Sequence, residues 1–266
     1  MASLDSFFAT VKLPSMSEVA HQLIQTLNDD DAGVKEVSDI IAKDPALTAK
    51  LLRLANSAQF GLPRGVGSID EAIQMVGMTK VRSLSLSACM SDAFPAFPGL
   101  DGQAFWKSSM ACAGYAQWLA GALQMDAQQA WLTGMMLRLG ELLMGQADPK
   151  ILANIEALPH YPGSRWEREK RMTGFSEGQI TAELARRWNF PMQIAQALER
   201  SYDPLVDQAF SRLGAVIHLA GLLADVPQAT ANALDFLPQD VVTKLALDEA
   251  WMKANFPTPE RFISLA

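Results

Sequence analysis

The side chains that most often carry out catalysis or bind metal ions are few and scattered in this sequence. The three histidines, His21, His160 and His218, lie far apart, and neither a His-Glu-x-x-His helix nor a Cys-x-x-Cys pair is present. Without such spacing, no single segment brings the ligands of a zinc ion together. His218 lies in an apolar helical run, where a hydrogen-bonded core histidine is expected rather than a metal ligand.

Other catalytic signatures are also missing. Gly61, Gly65 and Gly67 follow no strand, and their spacing fits neither a dinucleotide fingerprint nor a phosphate-binding loop. The Gly-x-Ser-x-Gly motif of serine hydrolases is absent. Cys89 and Cys112 lie among small residues in helical contexts, which is typical of buried, reduced thiols. The sequence therefore predicts no cofactor and no catalytic residue.

A mixed charged segment, Arg-Trp-Glu-Arg-Glu-Lys-Arg, covers residues 165–171. Its acidic residues alternate with basic ones, and Glu167 and Arg171 have the spacing of an i,i+4 ion pair on a helix. We expect this segment to form a solvated helix face rather than a basic patch.

The overall composition restricts the class of partner. Lysine and arginine total 22 against 29 aspartate and glutamate residues, and the formal net charge of −7 opposes binding to a phosphate backbone. Arg138, Glu141 and Asp225 interrupt the most apolar stretches, which stay shorter than the ~20 residues of a membrane span. Residues 1–13 lack the basic leader of a signal peptide. We expect a cytoplasmic protein that binds neither nucleic acid nor membranes.

Helical periodicity dominates and predicts an all-α fold, a multi-helix bundle with no significant sheet. From residue 44 to 58 the apolar residues recur at helical spacing, and Asp44 supplies an N-cap before Pro45 at the first helical position. A single helix is predicted over 127–145. Four Ser-x-x-Glu/Gln capping boxes predict further helix starts; these are Ser15 with Glu18, Ser68 with Glu71, Ser164 with Glu167 and Ser176 with Gln179.

Several short elements of the sequence form a recognisable series. They are Leu-Pro-Ser-Met-Ser-Glu-Val-Ala at 13–20, Asp-Pro-Ala-Leu at 44–47, Leu-Leu-Arg-Leu-Ala-Asn-Ser-Ala at 51–58, Phe-Gly at 60–61, Ser-Ile-Asp-Glu-Ala-Ile at 68–73 and Val-Gly-Met-Thr-Lys-Val-Arg at 76–82. Together they resemble the HDOD family, a helical branch of the HD-domain superfamily found in bacterial signalling proteins. The resemblance implies an N-terminal helical part of the HDOD domain at 1–98, a degenerate HD-like helical part at 99–225 and a C-terminal helical extension at 226–266.

The resemblance also implies the loss of a metal site. Catalytic HD domains bind divalent ions through His and Asp side chains, and the ions activate water for attack on phosphorus. Here the corresponding positions carry other residues, and neither a hydrocarbon nor a guanidinium ligates a dication. The residues of this vestigial cavity are Leu137 and Arg138 for the central His-Asp pair, Glu177 for the next His, Ser201 and Tyr202 for a His-His pair, and Gly221 for an Asp.

We expect Arg138 to occupy the vacated metal position and to pair with a carboxylate there. The favoured partner is Glu177 on another helix, and the alternative is Glu141, three residues further along the same helix. A buried guanidinium requires an anionic or carbonyl partner. We expect the remaining space beside Ser201 and Tyr202 to be filled, with binding of a small anion or metabolite as the alternative.

The residues that carry the resemblance have two possible roles, a structural one and a partner-binding one. For Asn56 and Ser57 we favour hydrogen bonds to backbone groups near a helix end. The full set is Asp44, Pro45, Asn56, Ser57, Phe60, Gly61 and Ser68.

The resemblance, the lost ligands and the acidic balance together imply a non-catalytic bacterial signalling module. Such a module acts through contacts with another signalling protein or with a second copy of itself, and it is not an enzyme. Two alternatives stay open at this point. One is a metal-dependent phosphohydrolase acting on a nucleotide or cyclic dinucleotide, and the other is a non-catalytic sensor of a small ligand.

Overall fold

The computed structural model describes residues 3–29, 31–56, 64–94, 100–157, 161–206, 210–226, 228–257 and residue 262. Across these ranges the chain is helical and contains no β-strand, which confirms the predicted all-α fold. The first helices are α1 (Leu4–Thr10), α2 (Glu18–Gln25), α3 (Val34–Ala42), α4 (Pro45–Ala55), α5 (Ile69–Val76) and α6 (Met78–Ala93).

The second group of helices contains the segments that the family resemblance aligns with the metal ligands of the superfamily. It consists of α7 (Gly102–Ala122), α8 (Ala127–Met136), α9 (Leu139–Ala147), α10 (Pro149–Glu156), α11 (Ser164–Thr173), α12 (Glu177–Arg187), α13 (Met192–Glu199) and α14 (Arg212–Ala224). A 3₁₀ helix (Ala231–Phe236), α15 (Gln239–Leu245) and α16 (Glu249–Ala254) follow.

Side-chain caps fix several of these helix starts. Asp44 Oδ1 accepts hydrogen bonds from the first turn of α4, as predicted, and Pro45 is its first residue. Ser68 caps α5, and Ser176 forms a complete capping box with Gln179 at the start of α12.

Two predicted capping boxes are wrong at the N-cap residue, and the box of Ser68 with Glu71 is incomplete because Glu71 Oε2 accepts from Gly67 N. Helix α2 is capped by Ser17 rather than Ser15, because the Ser17 hydroxyl accepts from the Ala20 N–H and moves the helix start by two residues. Helix α11 begins after Gly163, and the Ser164 hydroxyl bonds the backbone of a preceding residue instead of capping the helix.

The single helix predicted over 127–145 is interrupted at Leu137 and Arg138. The Thr181 hydroxyl of α12 is inserted at the interruption, where it donates to Leu137 O at 3.0 Å and accepts from Gly140 N at 2.7 Å. A side chain that replaces the backbone hydrogen bonds of a helix ends its regular geometry. The apolar periodicity continues across residue 137, so the sequence pattern gave no sign of the break.

The helices pack into one continuous buried core. Helix α6 packs against α2, α4 and α5 and also against α8, which links the first group of helices to the second. In the second group, α12 packs against α9 and α13, and α14 packs against α7. The division of the chain at residues 98 and 225 stays a prediction. None of the helices in the described ranges has the length and apolar composition of a membrane span.

Candidate functional site

One arginine and four acidic residues form an ion cluster inside the second group of helices. Both terminal nitrogens of Arg165 donate to Glu177, with Nη1–Oε2 and Nη2–Oε1 distances of 2.7 and 3.1 Å. Nη1 also lies 3.2 Å from Glu141 Oε2 and 3.7 Å from Glu169 Oε1, and Nη2 lies 3.2 Å from Asp225 Oδ1. The Arg165 side chain is 2% exposed. We call these five residues the Arg165 cluster.

Arg138 borders the Arg165 cluster, and of its two predicted partners Glu141 is the closer. Its Nε and Nη2 donate to Glu141 Oε2 at 3.0 and 2.6 Å, whereas its Nε lies 4.0 Å from Glu177 Oε2. Nη2 also donates to Glu156 Oε1 at 3.4 Å. The preference for Glu177 as the partner of Arg138 is therefore wrong, because Arg165 already occupies that carboxylate from both nitrogens.

The buried charges of this region do not balance unless some carboxyl groups hold protons. Two guanidiniums, those of Arg138 and Arg165, face the four acidic side chains of the Arg165 cluster. Burial raises the pKa of Glu141 to about 8, and burial also raises the pKa of Glu169 well above its ordinary value. The Oε1 atoms of these two residues are buried and have no hydrogen-bond partner among the described residues. A proton on each carboxyl leaves two negative charges facing two positive ones.

The Trp166 indole fills the space between the Arg165 cluster and α14. Its Nε1 donates to Glu177 Oε1 at 2.7 Å. A Cβ atom at Gly221 would lie 2.7 Å from Trp166 Cζ2 and 3.1 Å from Leu137 Cδ2. No larger side chain fits at residue 221 without displacing these groups, so the acid of the superfamily has no room beside the indole. The position of the Trp166 ring therefore requires a glycine at residue 221.

Ser201 and Tyr202 do not join the Arg165 cluster. The Ser201 hydroxyl donates to Leu198 O at 2.7 Å, and the Ser201 carbonyl lies 2.7 Å from His218 Nδ1. A carbonyl only accepts, so Nδ1 carries the hydrogen. Burial lowers the pKa of His218, which favours the neutral imidazole. His218 is thus hydrogen-bonded, as its apolar surroundings in the sequence predicted, but it is half-buried at the edge of a cleft rather than in the core.

A surface cleft of about 440 Å³ lies outside Trp166 and His218. Tyr202 lines it, and its two charged lining residues, Glu167 and Asp203, are both acidic. An anion bound there would face two carboxylates and no cation among the described residues that line the cleft. Ser201 is buried, and its Oγ lies so close to Gly178 that a Cβ atom added there would be 2.3 Å away.

The Arg165 cluster does not fit a divalent metal ion. Its carboxylates converge on the Arg165 guanidinium, so a dication between them would lie against a fixed positive charge. The positions that the family resemblance assigns to the central His-Asp pair hold Leu137, which is buried, and the second guanidinium, Arg138. Within the described ranges, no group of three or more His, Cys, Asp or Glu side chains is arranged to hold an ion.

Of the residues that carry the family resemblance, those in the described ranges have structural contacts. Asn56 Nδ2 donates to Val66 O at 2.9 Å, and Asn56 Oδ1 accepts from Val66 N at 2.7 Å. The amide thus holds the backbone that leads to α5 against the end of α4, in the role that we favoured for it. Asp44 and Ser68 cap α4 and α5. The remaining positions lie outside the described residues; they are Ser57, Phe60 and Gly61.

The sequence model of the HDOD domain matches residues 13–204, well over half of the chain. The chain belongs to the HDOD family. This HDOD chain is similar to the crystal structure of a protein from Shewanella amazonensis SB2B that is provisionally named a phosphohydrolase. The TM-score is 0.77, and the two are 26% identical over 98% of this chain and 96% of that one.

Two further relatives extend this comparison. A protein from Marinobacter aquaeolei VT8, provisionally named a signal transduction protein, has a TM-score of 0.74 and 21% identity over 98% of the HDOD chain and 57% of its own length. At this identity the likeness shows the fold alone. An uncharacterized protein of Treponema pallidum (strain Nichols) is 23% identical over 195 residues, which cover 70% of this chain. The match spans 37% of that curated relative.

The sequence interpretation missed the residue at the centre of the site. The prediction that residues 165–171 form a solvated helix face is wrong for Arg165, Trp166 and Glu169, which are buried, and it holds for Glu167 and Arg171, which are exposed. The spacing carried a signal, because positions 165, 166 and 169 share one face of a helix. The balance of positive and negative charges over the whole segment did not distinguish this buried face from the exposed one.

Proposed function

We propose that this HDOD chain is a non-catalytic regulatory module that acts through contacts with another protein or with a second copy of itself. The observation that carries the proposal is the position of Arg165. Its guanidinium lies 2.7 to 3.7 Å from four acidic side chains, among the segments that hold metal ligands elsewhere in the superfamily. A permanent side-chain cation thereby neutralises the carboxylates that would otherwise attract a metal ion.

The charges around the site also favour a non-catalytic role. Phosphoryl transfer needs cations that face the substrate and stabilise the negative charge of the transition state. Here both buried guanidiniums are engaged by internal carboxylates, and Arg165 is sealed from solvent. The adjacent surface cleft presents Glu167 and Asp203, which would repel a phosphate group.

The name of the Shewanella protein, which is 26% identical to this chain, favours hydrolysis, whereas the Marinobacter protein supports the fold alone. We follow the signalling function for this chain because hydrolysis by the mechanism of the superfamily needs a metal ion that these side chains do not accommodate. Output through association is then the simplest way for such a module to act.

An activity assay with a matched variant tests the proposal. The purified full chain is incubated with Mn²⁺ or Mg²⁺ and p-nitrophenyl phosphate, bis-p-nitrophenyl phosphate or a cyclic dinucleotide, beside its Glu177→Gln variant. We expect product formation at the rate of the metal ions alone for both proteins. Metal-dependent turnover by the natural chain that Glu177→Gln abolishes would make the protein an enzyme and end the proposal, since a contaminating enzyme would not respond to the substitution.

A further inference from the structure

A groove of about 320 Å³ lies between α4, α6 and α7, and it shares no lining residue with the Arg165 cluster. Its buried floor is apolar and consists of Leu84, Met110 and Met135. Leu54 and Trp106 are half-buried and form its walls. Protein interiors are close-packed, so a gap of this size between helices is a candidate binding surface.

The groove exists because α6 carries small side chains where it passes between α4 and α7. Ser87, Ala88 and Ser91 follow Leu84 at i+3, i+4 and i+7, so all four lie on the same side of the helix. Larger residues at these positions would fill the space. As it stands, the apolar floor lacks contacts on its open side, and an apolar side chain from outside would supply them.

The charges at the rim of the groove determine which partner fits. Both charged lining residues, Lys50 and Arg53, are cations on α4, three residues apart. Lys50 is ion-paired with Asp92. Arg53 is exposed and has no hydrogen bond or ion pair with any described residue. A guanidinium that has no partner among the described residues and lies beside an apolar groove matches a carboxylate carried close to an apolar group.

We propose that this groove docks a segment of a partner protein that presents one large apolar side chain and a carboxylate about one helical turn away. The apolar side chain enters between Leu84, Met110 and Met135, and the carboxylate pairs with Arg53. This proposal rests on the proposed function, because it names the surface through which the module associates. A helix suits the partner, since residues three or four positions apart lie on one face.

Methyl NMR with a synthetic peptide tests the docking directly. The full chain carries ¹³C-methyl methionine, so that Met110 and Met135 report on the floor of the groove and Met252 of α16 reports on a remote site. The probe is a blocked helical peptide of alanine and glutamine with one tryptophan and one glutamate four residues after it. We expect saturable shifts of the Met110 and Met135 signals and none for Met252.

Matched peptides separate the two parts of the recognition. Replacing the glutamate by glutamine is expected to weaken binding about two- to five-fold, as for an exposed ion pair. Replacing the tryptophan by alanine is expected to weaken it by a factor of about 30 or more, as for a central apolar anchor. Equal binding of the glutamate and glutamine peptides would overturn the assignment of the carboxylate to Arg53.

Variants of the chain complete the test. Arg53→Gln is expected to make the glutamate and glutamine peptides bind equally, Ala88→Trp to abolish binding by filling the groove, and Arg171→Gln to change nothing. Circular dichroism checks that each variant folds. If Ala88→Trp does not fold, the comparison of the two peptides on Arg53→Gln still decides the test.

Two outcomes would overturn the groove proposal and leave the proposed function intact. In the first, the tryptophan peptide fails to shift Met110 and Met135, and the chain still shows no metal-dependent turnover. In the second, 3-phenylpropanoate saturates these signals whereas the peptide does not, which would assign the groove to a small carboxylate. Metal-dependent turnover is measured separately and contradicts the proposed function whatever the peptide does.

Discussion

Replacing Arg165 by methionine is expected to destabilise the fold by about 3–5 kcal/mol at neutral pH. Methionine removes the charge from a side chain that is 2% exposed and contacts four acidic residues. Glu141 keeps a second guanidinium, and Glu169 is protonated because burial raises its pKa. The main effect is on Glu177 and Asp225, whose carboxylates stay buried without their main cation. Removing one partner of a buried ion pair typically costs about 3–5 kcal/mol of folding stability.

Urea-induced unfolding, followed by circular dichroism, measures this change. Arg171→Met is the matched control, because Arg171 lies on the same helix and is exposed. We expect the control to change the free energy of unfolding by no more than about 0.5 kcal/mol. A loss equal to that of Arg171→Met would refute the view that Arg165 holds the cluster together.

A double variant distinguishes the loss of charge pairing from the loss of packing. Adding Glu177→Leu to Arg165→Met removes the carboxylate that is left without its partner. We expect the double variant to regain part of the lost stability, since apolar replacement of a whole buried ion pair is often neutral or stabilising. If the stability losses of the single variants Arg165→Met and Glu177→Leu simply add in the double variant, the effect of Arg165→Met comes from packing and not from an uncompensated charge.

Three further predictions concern the region around the Arg165 cluster. The pKa of Glu141 is raised from 4.5 to about 8, so between these values the folded protein holds a proton that the unfolded chain has released. Unfolding midpoints should therefore fall as pH rises through this window, and Glu141→Gln should flatten the fall; an unchanged profile would contradict the assignment. Gly221→Ala should destabilise by about 1–3 kcal/mol because its Cβ meets the Trp166 ring at 2.7 Å. Gly121→Ala, with open space around the new Cβ, should be neutral or stabilising by up to ~1 kcal/mol, and thermal unfolding compares the two. Thr181→Val should lower the free energy of unfolding by about 1–3 kcal/mol, because it removes the hydroxyl from the helix break, whereas Thr181→Ser should lower it less. Equal decreases in urea unfolding would argue against a role of these hydrogen bonds.

The parts of the fold that depend on local chemistry could be predicted from the sequence. The all-α class follows from apolar periodicity, and the start of α4 follows from Asp44 before Pro45. The family resemblance also predicts the loss of the metal ligands, because Leu137 and Arg138 lie at motif positions where neither side chain ligates a dication, and this loss stays a prediction. Each of these inferences uses neighbouring residues or a motif.

The parts that depend on contacts between distant segments could not be predicted in the same way. The break at Leu137 comes from the Thr181 hydroxyl, which is 44 residues further along the chain. The local sequence did not indicate that Arg165 is buried, because its burial depends on carboxylates from three other helices or helix ends. The pairing of Arg138 was predicted as a choice between Glu141 and Glu177, and only the position of Arg165 explains why the nearer acid is its main partner.

We propose that the guanidinium of Arg165 occupies the position where a metal ion would have to bind. Crystals of the full chain grown with Mn²⁺, with anomalous scattering recorded at the manganese edge, test this claim most directly. We predict that no anomalous peak lies among the carboxylates of the Arg165 cluster. We also predict that the guanidinium of Arg165 contacts Glu177 in these crystals. A manganese ion bound by Glu141, Glu177 or Asp225, with Arg165 turned away, would contradict the account.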